Sequence, residues 1–184
     1  PGNREKSPVK EEVIPMETSK NDTKALRELV EKQEALLRFD HFSYKDAWKL
    51  GVLMVNEARE KKLPIAIRIT VNNLVIFSHV LEGANAHNEQ WLNRKHNTVF
   101  VRQESSLHLF TVAELEGKTL EKDWLLDPME YALCGGGFPL YLKGTGVIGS
   151  ICVSGLPHVE DHMFITSCLE KFLGIEVKDR KSVV

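Results

Sequence analysis

The sequence has little of what marks a specialised class of protein. Its three cysteines, Cys134, Cys152 and Cys168, are odd in number and widely spaced, which suits a reducing compartment better than a secreted disulfide framework. Charge of neither sign dominates: 24 Lys and Arg stand against 26 Asp and Glu, a formal net charge of -2. No overall basic field therefore draws the chain to nucleic acid or to an anionic membrane surface. No apolar run approaches the ~20 residues of a membrane-spanning helix, and the basic-then-apolar order of a signal peptide is missing from the amino terminus. The expectation is a cytoplasmic protein with no nucleic-acid partner and no membrane span.

What is present, 42% hydrophobic and 27% charged residues, is the balance of a globular domain that builds a core without covalent staples. Residues 1–21 are polar and contain prolines, and read as a tail with too little apolar surface to order itself. Residues 22–175 read as one domain and 176–184 as a flexible C-terminus. From Asp22 the residues Leu26, Leu29, Val30, Leu36 and Leu37 form a helical stripe. A second helix opens at Ser43-Tyr44-Lys45-Asp46, a capping box with Asp in place of Glu, and turns Ala47, Leu50, Gly51, Met54 and Ala58 inward until Pro64 approaches.

Strand signals follow. Ile65, Ile67, Ile69 and Val71 alternate with Ala66, Arg68 and Thr70, and Asn72-Asn73 supplies the left-handed residues of a two-residue hairpin turn into Leu74–Val80. Residues 88–120 read as two helices, one with Trp91, Leu92 and Arg94-Lys95-His96, the other from Leu107 to Leu115. A third strand is expected over Glu130–Cys134, with Gly135-Gly136-Gly137 turning the chain into a last hairpin. Pro157 suits a helix first turn, and Met163, Ile165, Leu169 and Phe172 drive a closing helix. An antiparallel sheet of five strands with helices packed on it is an α+β architecture.

The stretch "LKGTGVIGSICVSGLP" holds Gly144, Gly146 and Gly149 in the spacing of a dinucleotide-binding turn. That fingerprint needs a helix after its third glycine. Here Ser150–Ser154 continues as a strand, so Lys143-Gly144-Thr145-Gly146 reads as a hairpin loop. Three other constellations bear on chemistry. His158 and His162 share a helix face at i and i+4, as metal ligands do, but no third ligand is spaced to join them, and capping or surface roles account for the pair. Trp91 beside Arg94 and Lys95 can hold a carboxylate, or can be a packed tryptophan among solvated charges. Cys134 precedes three glycines whose N–H groups could form an anion nest that lowers its thiol pKa.

The segments "WLNRKHNTV" (Trp91–Val99), "EYALCGGGFPLYLKGTGVIGSICVSGLP" (Glu130–Pro157) and "EDH" (Glu160–His162) resemble, in order, uncharacterised protein family 0303 of the haem-degrading-domain superfamily, also called domain of unknown function 336. The resemblance runs over residues 25–173. It implies a profilin-like α/β sandwich with a five-stranded antiparallel sheet and packed helices, and assembly into a homo-oligomer. The positions that match are Trp91, Arg94, Lys95, Tyr131, Gly135, Gly136, Gly149, Ser154, Gly155, Glu160, Asp161 and His162. The glycines are expected to be structural. Trp91, Arg94, Lys95, Glu160, Asp161 and His162 are the ligand-binding candidates, for haem as cofactor or another planar anionic small molecule, with His162 the first axial candidate. A non-catalytic assembly or protein-interaction module is the alternative. Whether any reaction is catalysed is left open, a metal or thiol enzyme using His158, His162 or Cys134 being the third possibility.

Overall fold

A computed structural model describes residues 19–178. The expected amino-terminal tail up to residue 18, and residues 179–184 of the expected C-terminus, lie outside the described residues. The elements are α1 (Lys20–Leu36), α2 (Tyr44–Glu60), β1 (Ala66–Val71), β2 (Leu74–Val80), α3 (Ala86–Arg102), α4 (Ser106–Glu116), α5 (Leu120–Asp123), β3 (Gly137–Leu142), β4 (Gly146–Ser154) and α6 (His158–Leu173). The first two helices begin where local chemistry dictates. Ser43 and Asp46 form the expected capping box, and Ser19 and Asp22 form another. Two otherwise orphaned N–H groups are thereby bonded at each end. The second box explains why α1 starts at Lys20, two residues before the apolar stripe suggested.

The sheet has four antiparallel strands in the order β2-β1-β4-β3, not the expected five. Asn72 and Asn73, with φ of 49° and 62°, make the β1–β2 turn as their tolerance of the left-handed region allows. Gly146 pairs with Leu142, so the glycine-rich stretch is a hairpin loop of Lys143-Gly144-Thr145, and no helix follows its third glycine. The missing strand is Glu130–Cys134. Its backbone groups bond to α3 side chains instead: Asn97 donates to Glu130 O, Arg94 to Tyr131 O, and Thr98 both donates to Ala132 O and accepts from Ala132 N. With its donors and acceptors used this way, the segment has no need of a ladder partner.

Alternation along the strands gives the sheet two unlike faces. Ile67, Ile69, Phe138, Leu140, Ile151 and Val153 join α1, α2 and α6 in the main core. The other face, under α3, is polar: Arg68, Thr70, Ser150 and Ser154 are buried there, beside a small apolar contact of Ala66, Leu92 and Cys152. Val177 is also buried in the main core, so packing extends past residue 175, where the domain was expected to end. Phe39 bridges to Leu142 on the outer edge of β3; no strand covers the outer edge of β2 among the described residues.

Candidate functional site

Helix α3 carries three of the six ligand-binding candidates, Trp91, Arg94 and Lys95, and its periodicity sends them to different places. Trp91, Arg94 and Thr98 lie three to four residues apart, on one face. Arg94 lies 4.1 Å over the Trp91 ring and donates to Pro128 O at 2.5 Å and Tyr131 O at 3.2 Å. Its guanidinium thus fastens the irregular segment that replaces the expected strand. The Trp91 indole N–H donates to His87 Nε2 one turn earlier, at 2.9 Å.

Lys95 points to the sheet. Its ammonium donates to Asp161 Oδ2 and to Val153 O, both at 2.8 Å, and the two ionic side chains are only 3% and 2% exposed. Asp161 Oδ1 accepts the Leu156 N–H at 3.0 Å. That bond joins the β4–α6 turn to the pair, at a helix start where Pro157 offers no side-chain cap. Gly136 makes room for the arrangement: its φ is +107°, and a Cβ there would lie 2.5 Å from Lys95 Nζ and from Val153 O. Burial pushes the Asp161 carboxyl upward, while Lys95 and the backbone N–H groups pull against that push.

A cleft of about 310 Å³ opens above this pair, lined by His87, Trp91, Cys134, Ser154 and His158 among others. Its volume is at the lower end of the ~300–1,000 Å³ typical of small-molecule sites. His158 Nδ1 accepts the Gly135 N–H at 3.2 Å, so the ring proton resides on Nε2. Burial, then the Lys95 charge, holds this imidazole below its ordinary pKa and keeps it neutral. Burial likewise pushes the Cys134 thiol up, with Lys95 too weak to reverse it. The expected glycine nest therefore does not make a thiolate of Cys134. The two remaining thiols, Cys152 and Cys168, are pushed by burial to about 11 and about 12.

The sequence candidates are only partly brought together. Trp91, Lys95 and Asp161 line this cleft, and Arg94 lines the adjoining one with Trp91 and His87. Glu160 is exposed in the first turn of α6, away from both. His162 corrects the axial-ligand expectation: it is wholly buried, its ring lies 5.7 Å from that of Phe138, and its Nε2 bonds Gln33 Oε1 at 2.9 Å. Nor do His158 and His162 converge as a metal pair would, since each ring is engaged by a different partner. Sequence reading missed His87, whose signal was available as a histidine one turn before a tryptophan.

The matching family model, "Haem degrading protein HbpS-like", spans residues 42–170. A "UPF0303 protein" of Streptomyces avermitilis is 39% identical over 144 residues, covering 78% of this chain and 88% of the relative. Among solved structures, the Ybr137w protein superposes with a TM-score of 0.77 at 28% identity over 84% of this chain and 94% of its own. A PduOC:haem complex superposes with 0.59 at 19% identity over 70% and 92%, a likeness of fold. An α+β fold with a central antiparallel sheet, the ordered motifs along α3, β3, β4 and α6, and a family match across most of the described residues lead to one conclusion: the chain belongs to the HbpS-like family.

Proposed function

We propose that this chain is a cytoplasmic, homo-oligomeric binding protein for a small anionic molecule with a planar face, haem being the first candidate. Support for the ligand class comes from the family's description and from a structural neighbour described as a haem complex. The observation that carries binding over catalysis is the quenched chemistry of the α3 cleft. Lys95 and Asp161 are spent on each other, and Cys134 is held as a thiol and His158 as a neutral donor. Nucleophilic chemistry at Cys134 needs a thiolate, which burial disfavours, and general-base chemistry at His158 needs the Nδ1 lone pair, which the Gly135 N–H occupies.

Haem makes three demands: an iron ligand with a free lone pair, cations for its propionates, and apolar or aromatic surface for its ring. The candidates named from the sequence do not meet them together. His162 is inside the core, Arg94 is committed to backbone carbonyls, and Lys95 is committed to Asp161. These commitments favour another set of residues for haem, which would supply an iron centre when bound.

A second reading, a protein-interaction module, is favoured by the outer edge of β2, which has no strand partner among the described residues and where Leu74, Val75 and Val80 are about half exposed; such an edge is a template for strand pairing. Titration of the purified chain with haemin, followed in the Soret region, separates the two, with sedimentation velocity reporting assembly. A sharp, saturable band at one haem per subunit is the expected result. A broad, non-saturating change is surface adsorption; it refutes haem binding and leaves the interaction module.

A further inference from the structure

Resting on the haem reading above, we propose that haem docks in the groove between α2 and β2, with His79 as its axial ligand and Arg59 and Lys62 holding the propionates. The seven histidines differ in whether a lone pair is left for a ligand. His162 is buried on Gln33. His87 Nε2 accepts from Trp91, His158 Nδ1 accepts from Gly135, His96 is bonded through both nitrogens to Ser150 and Asn73, and His108 is held among carboxylates. His41 and His79 remain. His41 is exposed in the loop before α2 and lines none of the clefts described above, whereas His79 lies at the meeting point of two adjoining ones, of about 680 and 410 Å³.

The surroundings of His79 match the rest of the ligand. Pairing of Ile67 with His79 and of Ile69 with Phe77 places both β2 side chains on the α2 face of the sheet. Phe77 and Trp48 form an aromatic wall with ring centroids 6.1 Å apart. Gly51 permits that wall, because a Cβ at this position of α2 would lie 2.5 Å from the Phe77 ring. At 65% exposed, Trp48 leaves much of its indole for a ring to cover. Arg59 lines both clefts and Lys62 the larger one. Both cations are exposed, and neither forms a salt bridge among the described residues. Glu82 is the acid on the same rim, so the cations outnumber it. An imidazole, an aromatic wall and two uncommitted cations are the complementary parts of an amphipathic tetrapyrrole.

The test is a haemin titration of the full chain in parallel with His79→Ala, His79→Met, His41→Ala and Arg59→Ala/Lys62→Ala, each verified as folded by far-UV circular dichroism. The wild-type Soret band should be lost or moved to a weak-ligand position in His79→Ala and restored by added imidazole, and should remain in His41→Ala. His79→Met fills similar space with a thioether, and should shift the band; it carries the test if the alanine variant does not fold. Metal-free protoporphyrin IX should bind wild type and His79→Ala alike, and Arg59→Ala/Lys62→Ala should weaken both tetrapyrroles by about tenfold or more. Saturable wild-type binding with an unchanged band in both His79 variants overturns this site and leaves the binding function standing. Failure of wild type to bind haemin saturably overturns both.

Discussion

Removing one partner of the buried Lys95–Asp161 pair should be among the most damaging single substitutions available. Lys95→Met keeps the length and apolar body of the side chain but strands a carboxylate that is 2% exposed. Breaking a buried ion pair from one side costs about 3–5 kcal/mol. For a chain of this size about 1 kcal/mol moves the midpoint by roughly 2–4 °C, so the expected loss is roughly 6–20 °C. The double variant Lys95→Met/Asp161→Leu removes both charges but orphans Val153 O and the Leu156 N–H, at about 1–3 kcal/mol each. It should therefore lose less than the sum of the single variants without returning to wild type. Because burial raises the Asp161 carboxyl, the Lys95→Met penalty should shrink as acid protonates the stranded group. Urea unfolding followed by circular dichroism, with a double-mutant cycle, measures all three values. A Lys95→Met loss below about 1 kcal/mol, or strict additivity in the cycle, would refute the claim that the pair acts as one buried unit.

His108 contacts Glu34 at 3.0 Å and Glu31 and Glu104 at 3.6 Å, and the Glu34 hydrogen bond raises its pKa against the opposing effect of burial. A folded pKa above the unfolded value of about 6.5 gives stability that is full below that value and fades as pH rises through the folded one; urea midpoints should fall more steeply with pH in wild type than in His108→Gln, and parallel profiles would count against the cluster. Cys134 should label with iodoacetamide more slowly than a free thiol at neutral pH, and Cys152 and Cys168 only on unfolding, as peptide mass spectrometry can read; rapid native labelling of Cys134 would contradict its raised pKa. Gly136→Ala combines a positive φ with a collision against Lys95 and Val153, and should cost at least the ~1–3 kcal/mol of backbone strain, read as a lowered urea midpoint; an unchanged midpoint would show that the turn relaxes freely.

The readings that the sequence alone secured are those whose cause is local. Ser43 and Asp46 satisfy N–H groups three residues away, Asn72 and Asn73 carry the turn dihedrals themselves, and the strand alternation after Gly149 excludes a dinucleotide fingerprint without reference to the rest of the chain. Family membership was legible too, because ordered motifs survive without knowledge of contacts. The four-strand count was not, since whether Glu130–Cys134 pairs as a strand depends on Arg94, Asn97 and Thr98, more than thirty residues away in the chain. The same distance in sequence hid the fate of each charge and imidazole. Arg94 and Lys95 are neighbours in the chain, but the helical turn sends one to loop carbonyls and the other to Asp161. His162 was the candidate by motif, and only packing put it against Phe138 and Gln33 while leaving His79 at an open groove. Composition and spacing determine which groups a chain can offer; solvent access and hydrogen-bond partners, which arise only when distant segments pack, decide which of those groups stay free to bind.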